Sequence, residues 1–266
     1  NTVIFVPMKL PYSVTFLGTG TSQGIPVIGS EHPVCLSKNP KDKRLRVSVL
    51  LQWDDYNYVI DCGPDFRTQM LRNNVKHLNA VLLTHDHSDH TAGLDDIRPF
   101  CFKQSGFVTF YAEPKVYEAL HKRFEYIFTS ENKYPGAPTI KEEEILNLEN
   151  FRIGGKTVIP IRSLHNNLPV LGFRIEGFTY LTDVKTISLS EIEKIKGTDV
   201  LVVNALREAP HPSHLTLSEA LELIEKIQPK KAYLTHISHL LGFHDEVEAK
   251  LPANVHLAYD GLKIKI

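Results

Sequence analysis

Apolar and polar positions alternate along most of this chain in short runs of β type, broken by a few segments in which apolar residues return every three or four positions. In the first half, strands are predicted over 12–17, 47–52, 56–61, 81–84 and 108–112, the second and third facing each other across Asp54-Asp55 as a hairpin. Helical spacing is predicted over 65–73, with Phe66, Met70 and Leu71 inward, over 94–102, and over 113–128, where Val116, Leu120, Phe124 and Ile127 form one stripe. That aromatic-containing stripe reads as core, not as a platform for stacking bases. A polar loop over 129–139, with Pro135 and Pro138, is a candidate lid.

In the second half, 151–164 and 170–182 are strand-rich, each interrupted at glycine (Gly154-Gly155 and Gly177), and a short helix over 188–195 and a strand over 199–205 follow. The best-signalled helix comes next. Thr216 with Glu219 three residues later is a capping box, Leu217, Ala220, Leu221, Ile224 and Ile227 make its inner face, and Pro229 stops it. A strand over 232–235 and an edge strand of alternating Lys and apolar residues over 262–266 close the chain. Strands in two runs with helices between them predict an α/β fold of two mixed sheets packed face to face with helices outside. No repeat or low-complexity linker divides the chain, so 1–266 is expected to be one domain.

Composition narrows the function. At 266 residues and 42% hydrophobic content the chain can bury one substantial core. Its net charge of -1 supplies no global basic field, which argues against long nucleic acid as a substrate. The one charged run, 38–46, reads as solvated surface, with Arg44 or Arg46 reaching an anionic substrate as the alternative. Three widely spaced cysteines with no C-x-x-C argue against a disulfide framework and for a reducing, cytoplasmic setting. No apolar run has the length of a membrane span, and the opening NTVIFVPM lacks the basic start and cleavage site of a signal peptide; Met8 is an alternative start.

The chemistry concentrates where the strand over 81–84 runs into His85, His87, Asp89 and His90. On extended chain His85 and His87 point the same way and can converge on one cation; Asp89 and His90, as the chain turns toward a helix, can face a second. Further along, His165, Asp183 and His236 each stand at a predicted strand end. Taken together, His85, His87 and His165 make one expected ligand set and Asp89, His90 and His236 the other, with Asp183 shared. Mixed imidazole and carboxylate donors without thiolate suit two divalent ions, Zn, Mn or Fe, and do not choose among them. Two cations about 3.5 to 4 Å apart activate water and take up the charge that builds on a substrate oxygen, so hydrolysis is the implied reaction, with Asp89 and Asp183 in its machinery. Asp61, ending its strand in Asp-Cys-Gly, either holds a ligating imidazole by its other nitrogen or caps the turn before Asp65. His214, just ahead of the capped helix, is the candidate general acid, although two cations and a positive helix end both oppose an imidazolium there. The glycine loop over 18–24 follows a strand, as a dinucleotide loop would, yet Pro26 and IPVIGS come after it instead of a helix. The remaining reading is a tight turn that brings backbone N–H groups near the metal site.

The string H-x-H-x-D-H, with His165, Asp183 and T-H-I-S-H downstream, resembles the signature of the metallo-β-lactamase-fold hydrolases, which implies a four-layer αββα sandwich. His at position 87, where diiron oxygen-reducing relatives place an acidic residue, favours hydrolysis. Within that superfamily the chain looks most like the phosphoribosyl cyclic phosphate phosphodiesterases, which implies a small anionic phosphodiester substrate, metal cofactors, the acid role for His214 and a homodimer as one assembly. Those relatives hold a structural zinc through G-C-x-C-x-x-C and a later His; here Ser30 and His32 replace the first two cysteines, leaving His32, Cys35 and His239 as the only candidate ligands. Thioester or lactam hydrolysis, tRNA 3′-end cleavage and a non-enzymatic metal-binding role remain as alternatives.

Overall fold

The computed structural model describes residues 12–104, 106–129, 131 and 133–266; the opening octapeptide and Met8 lie outside the described residues. The strands are β1 (Ser13–Gly18), β2 (Ser48–Trp53), β3 (Tyr56–Ile60), β4 (Ala80–Leu82), β5 (Val108–Ala112) and β6 (Ile140–Glu144). They continue with β7 (Phe151–Ile153), β8 (Lys156–His165), β9 (Leu168–Ile175), β10 (Phe178–Leu181), β11 (Thr186–Ile187), β12 (Val200–Asn204), β13 (Lys231–Thr235), β14 (Val255–Leu257) and β15 (Lys263–Lys265). They form two sheets, in the orders β15-β1-β2-β3-β4-β5-β6 and β11-β8-β9-β10-β12-β13-β14, with β7 paired to β8. Each sheet is antiparallel in one half and parallel in the other: β3 to β6 run parallel, as do β10, β12, β13 and β14.

Period-two patterning explains the layering. In β3, Tyr58 and Ile60 enter the core between the sheets while Val59 packs under helices, and in β12 Val200 and Val202 face inward while Leu201 and Val203 face the outer helices. Three large apolar clusters result, one between the sheets around Phe16, Phe173, Phe178 and Tyr180 and one beneath each helical layer, with a small fourth of Ile25, Val34 and Cys35. The chain is thus the predicted αββα sandwich. No helix among the described residues is long and apolar enough to cross a membrane.

Several boundaries differ from the sequence expectation. The helix over 113–128 breaks at Phe124, which leaves helical geometry (φ -124°) between Pro114–Arg123 and Glu125–Phe128. The segment over 94–102 starts as a 3-10 turn, Leu94–Ile97, and only then becomes α-helical, Arg98–Lys103. Leu71 is 63% exposed, since Phe66 and Met70 already fill the sheet-facing stripe of Phe66–Arg72. On Leu217–Ile227, Leu223 joins Ala220, Ile224 and Ile227 in the buried face, while Leu217 and Leu221 pack at its margin. Strand β6 was invisible to patterning because an edge strand such as IKEEE needs little apolar surface, whereas β14, with Val255 and Leu257 buried, is only three residues long and too short to show a period.

Candidate metal centre

The centre lies where strand ends of both sheets meet. At three of them, Asp61 after β3, Asp183 after β10 and His236 after β13, the backbone takes left-handed φ values of 63°, 59° and 54°. Such geometry is uncommon for residues other than glycine and costs of order 1–3 kcal/mol where it strains the chain, so its recurrence at one site marks function. The metal loop follows β4 and is sewn to the turn after β3 by Cys62 N–H donating to His90 O (2.8 Å) and Gly93 N–H donating to Cys62 O (2.9 Å). A Cβ at Gly63 would overlap the Asp89 carbonyl, so only glycine permits this approach.

Three groups of donor atoms gather here, each within 4.8 Å: Asp89, His90, Asp183 and His236; His85, His87 and Asp183; and His165, Asp183 and His214. Asp183 is common to all. Its Oδ2 lies 3.7 Å from His85 Nε2 and 3.4 Å from His90 Nε2, and its Oδ1 lies 3.1 Å from His236 Nε2. Asp89 Oδ2 lies 3.3 Å from His90 Nε2 and 3.6 Å from His236 Nε2.

The far nitrogens are held from behind. His90 Nδ1–H donates to Asp61 Oδ2 at 2.7 Å, and Thr84 N–H and Oγ1–H also donate to that carboxylate. Thr84 Oγ1 sits 2.9 Å from His85 Nδ1, and His165 Nδ1–H donates to Ser213 O at 2.8 Å. These bonds leave each Nε2 to face the centre, and the buried Nε2 atoms of His85, His90 and His236 have no hydrogen-bond partner. Buried polar atoms aimed at one another without partners are what divalent cations would satisfy, so the donor set fits a metal centre.

Electrostatics agree with a site of concentrated charge. Burial holds His85 well below the usual histidine range, while His90, equally buried, is held well above it by Asp183, Asp89 and Asp61. Against the burial penalty, His236 and His90 keep Asp183 well below the usual carboxylate range. Burial, then His236, pushes His214 down to about 2, so its imidazole is neutral. Its ring stacks 4.7 Å from that of His236 and lies tilted 4.5 Å from that of His165.

All seven expected ligands and His214 therefore meet at one place. His165 groups with His214 rather than with His85 and His87, although its ring is 5.9 and 5.2 Å from theirs. Asp61 takes the supporting position behind His90. Thr84, Gly63 and the Ser213 carbonyl are participants that no sequence signal marked.

Other expectations fall away. Arg44 is buried, donating to Thr19 Oγ1 and Ala258 O and lying 3.1 Å from His244 Nδ1, so it cannot reach a substrate. Arg46 is paired with Asp65 at 3.1 Å. In the glycine loop, Gly20 N–H is spent on Leu45 O, and Thr21 N–H on the carbonyl of Ile237, the residue after His236, so neither amide is free to cradle an anion. His32 and His239 stand with rings 4.9 Å apart, but Cys35 Sγ accepts from Val27 N–H and His32 Nδ1 from Val34 N–H. Among the described residues these three do not gather as a donor group.

The Beta-lactamase superfamily domain matches residues 56–237. A crystal structure of a new diphosphatase from the PhnP family superposes with a TM-score of 0.90 at 39% identity, covering 96% of this chain and 97% of that one. Zn(2+)-bound PqqB from Methylobacterium extorquens gives 0.78 at 18% identity (95% and 99% covered), and human tRNase Z, short form, 0.68 at 19% (95% and 98%); both are likenesses of fold. In sequence, the chain is 41% identical over 249 residues, 93% of its length, to an octanoyltransferase of Porphyromonas gingivalis, of whose length it spans about half (50%).

Proposed function

The chain belongs to the beta-lactamase superfamily as a metal-dependent hydrolase related to the PhnP family, and from that premise we propose that it is a dinuclear phosphodiesterase acting on small phosphodiesters. The observation that carries this reading is Asp183, one carboxylate common to three converging donor groups. His85, His87 and His165 would hold one ion, Asp89, His90 and His236 the other, with Asp183 touching both; Zn and Mn suit these donors. When bound, such a pair supplies Lewis acidity, lowering the pKa of water and neutralising charge on the phosphoryl oxygens.

The protein's own groups do the rest. Thr84, Asp61 and the Ser213 carbonyl fix the imidazole tautomers of His85, His90 and His165, so these three present Nε2 without rearrangement. His214 is neutral in the free site, and the negative charge of a phosphodiester beside it raises its proton affinity, the condition for protonating a leaving alkoxide. A near-neutral chain supports a small substrate over a long polyanion. The diphosphatase relative supports chemistry at phosphorus.

A carbonyl substrate is the second reading, favoured by the name of the P. gingivalis octanoyltransferase. Protein loaded with Zn or Mn, assayed on bis(p-nitrophenyl) phosphate beside an octanoyl thioester, separates the two. Phosphodiester turnover that disappears in Asp183→Ala supports the proposal; selective cleavage of the thioester overturns it.

A further inference from the structure

His87 differs from its neighbours in how it is held. His85, His90 and His165 each have a ring nitrogen backed by a hydroxyl, a carboxylate or a carbonyl, whereas the His87 ring is exposed and makes no side-chain hydrogen bond among the described residues. Its position is set by backbone alone. Thr91 Oγ1–H donates to His87 O at 2.9 Å and lies 3.3 Å from Asp86 O, which ties the two ends of the loop together. Behind that tie stands Arg123, the last residue of Pro114–Arg123, ahead of the break at Phe124. Its guanidinium donates to the Asp86 carbonyl, to Thr91 Oγ1 (3.3 Å) and to the Asp86 carboxylate (3.3 Å). The planar fork of an arginine holds all three in one fixed geometry, which the point charge of a lysine on its flexible stem does not.

We propose that Arg123 is a positioning residue: a strut from the outer helix that holds the Asp86–Thr91 turn and so aims His87, making the affinity of the His85–His87 cation depend on a side chain that touches no ligand atom. The His90 ring of the other cation has a hold of its own on the opposite side: its Nδ1–H donates to Asp61 Oδ2, and Thr84 N–H braces that carboxylate. The inference rests on the dinuclear reading above, and its signature is selective. Loss of a group that supports a ligand typically weakens metal binding about 10–100-fold.

Titration of Zn into apoprotein against a chromophoric chelator tests it. In Arg123→Gln and in Asp86→Ala, one of two binding steps should weaken about 10–100-fold while the other keeps its wild-type affinity. Arg123→Lys should restore only part of the loss, and the double variant should lose little more than either single one. Wild-type affinity at both steps in both single variants overturns the proposal. So does equal weakening of both steps, which would mean general loosening. Should wild type bind no cation pair, the dinuclear reading fails by itself; the strut is then judged by amide exchange in apoprotein, where Arg123→Gln must accelerate exchange across 86–91 and not at 62–66, and unchanged exchange sinks it.

Discussion

The two sides of the centre are built differently. On one, His90 is fully buried and backed by the Asp61 carboxylate, which is itself pinned by a backbone amide and a hydroxyl. On the other, His85 is backed by a neutral hydroxyl, His165 by a neutral carbonyl, and His87 reaches the surface with only backbone to hold it. A carboxylate behind an imidazole raises its basicity as well as orienting it; a hydroxyl or carbonyl only orients. The first side is therefore set up to hold a cation by charge in a dry site, and the second to hold one by geometry at an accessible rim.

Removing what the two sides share should have the largest effect. Asp183→Ala takes a donor from every group at once, so phosphodiester turnover should fall to the uncatalysed level and metal content below two per chain. Full activity with one cation would break the idea that the sides work as a unit. His214→Ala comes next, with an expected loss of about 10²–10⁴-fold in kcat on alkyl leaving groups and roughly tenfold at most on p-nitrophenolate, which needs little proton donation. Equal losses on both leaving groups would remove His214 from the acid role. Asp61→Asn should then sharpen the contrast: about 10–100-fold weaker binding of one cation, with the His85–His87 step unchanged, the mirror image of the pattern expected for Arg123→Gln.

What the sequence revealed and what it concealed divide along physical lines. H-x-H-x-D-H is legible because ligand chemistry admits few residue types, and Asp183 and His236 were legible once that string demanded partners at strand ends. The two packed sheets were legible from strands that come in two runs with helices between them, among them β3 and the apolar run VLVVN of β12. Arg44 misled because a charged run normally lies in solvent, whereas here tertiary contacts from Thr19, Ala258 and His244 enclose it. Thr84, Gly63 and Arg123 were silent because their roles depend on contacts across the fold that no local spacing encodes. β6 was missed for a different reason, that an edge strand leaves little apolar imprint, and β14 because three residues are too few to show a period.

The enclosed Arg44 yields the smallest effect, and it contrasts the rim with the ground behind the glycine loop. His244 Nδ1 accepts from the Arg44 guanidinium, which cannot give up its charge, so this imidazole is neutral; burial, then Arg44 and Lys41, lower it from 6.5 to about 4, with Glu248 and Asp245 opposing. Asp42 Oδ1 accepts from His244 N–H, and the Tyr259 ring packs 5.8 Å from the imidazole. Between pH 6.5 and about 4 the unfolded chain binds a proton here that the folded chain refuses, so stability falls as pH falls through that window. Asp260, raised to about 6 mainly by burial, works the other way: folded protein takes its proton first, which adds stability over much of the same window. The two oppose in wild type, so the sign is read from a difference. His244→Asn keeps a short polar side chain and removes the titration while Asp260 stays, and urea unfolding at pH 7 and pH 4.5 should show wild type losing about 1–2 kcal/mol more than the variant. Parallel losses would mean that water reaches His244, and that the arginine behind the glycine loop is not sealed in.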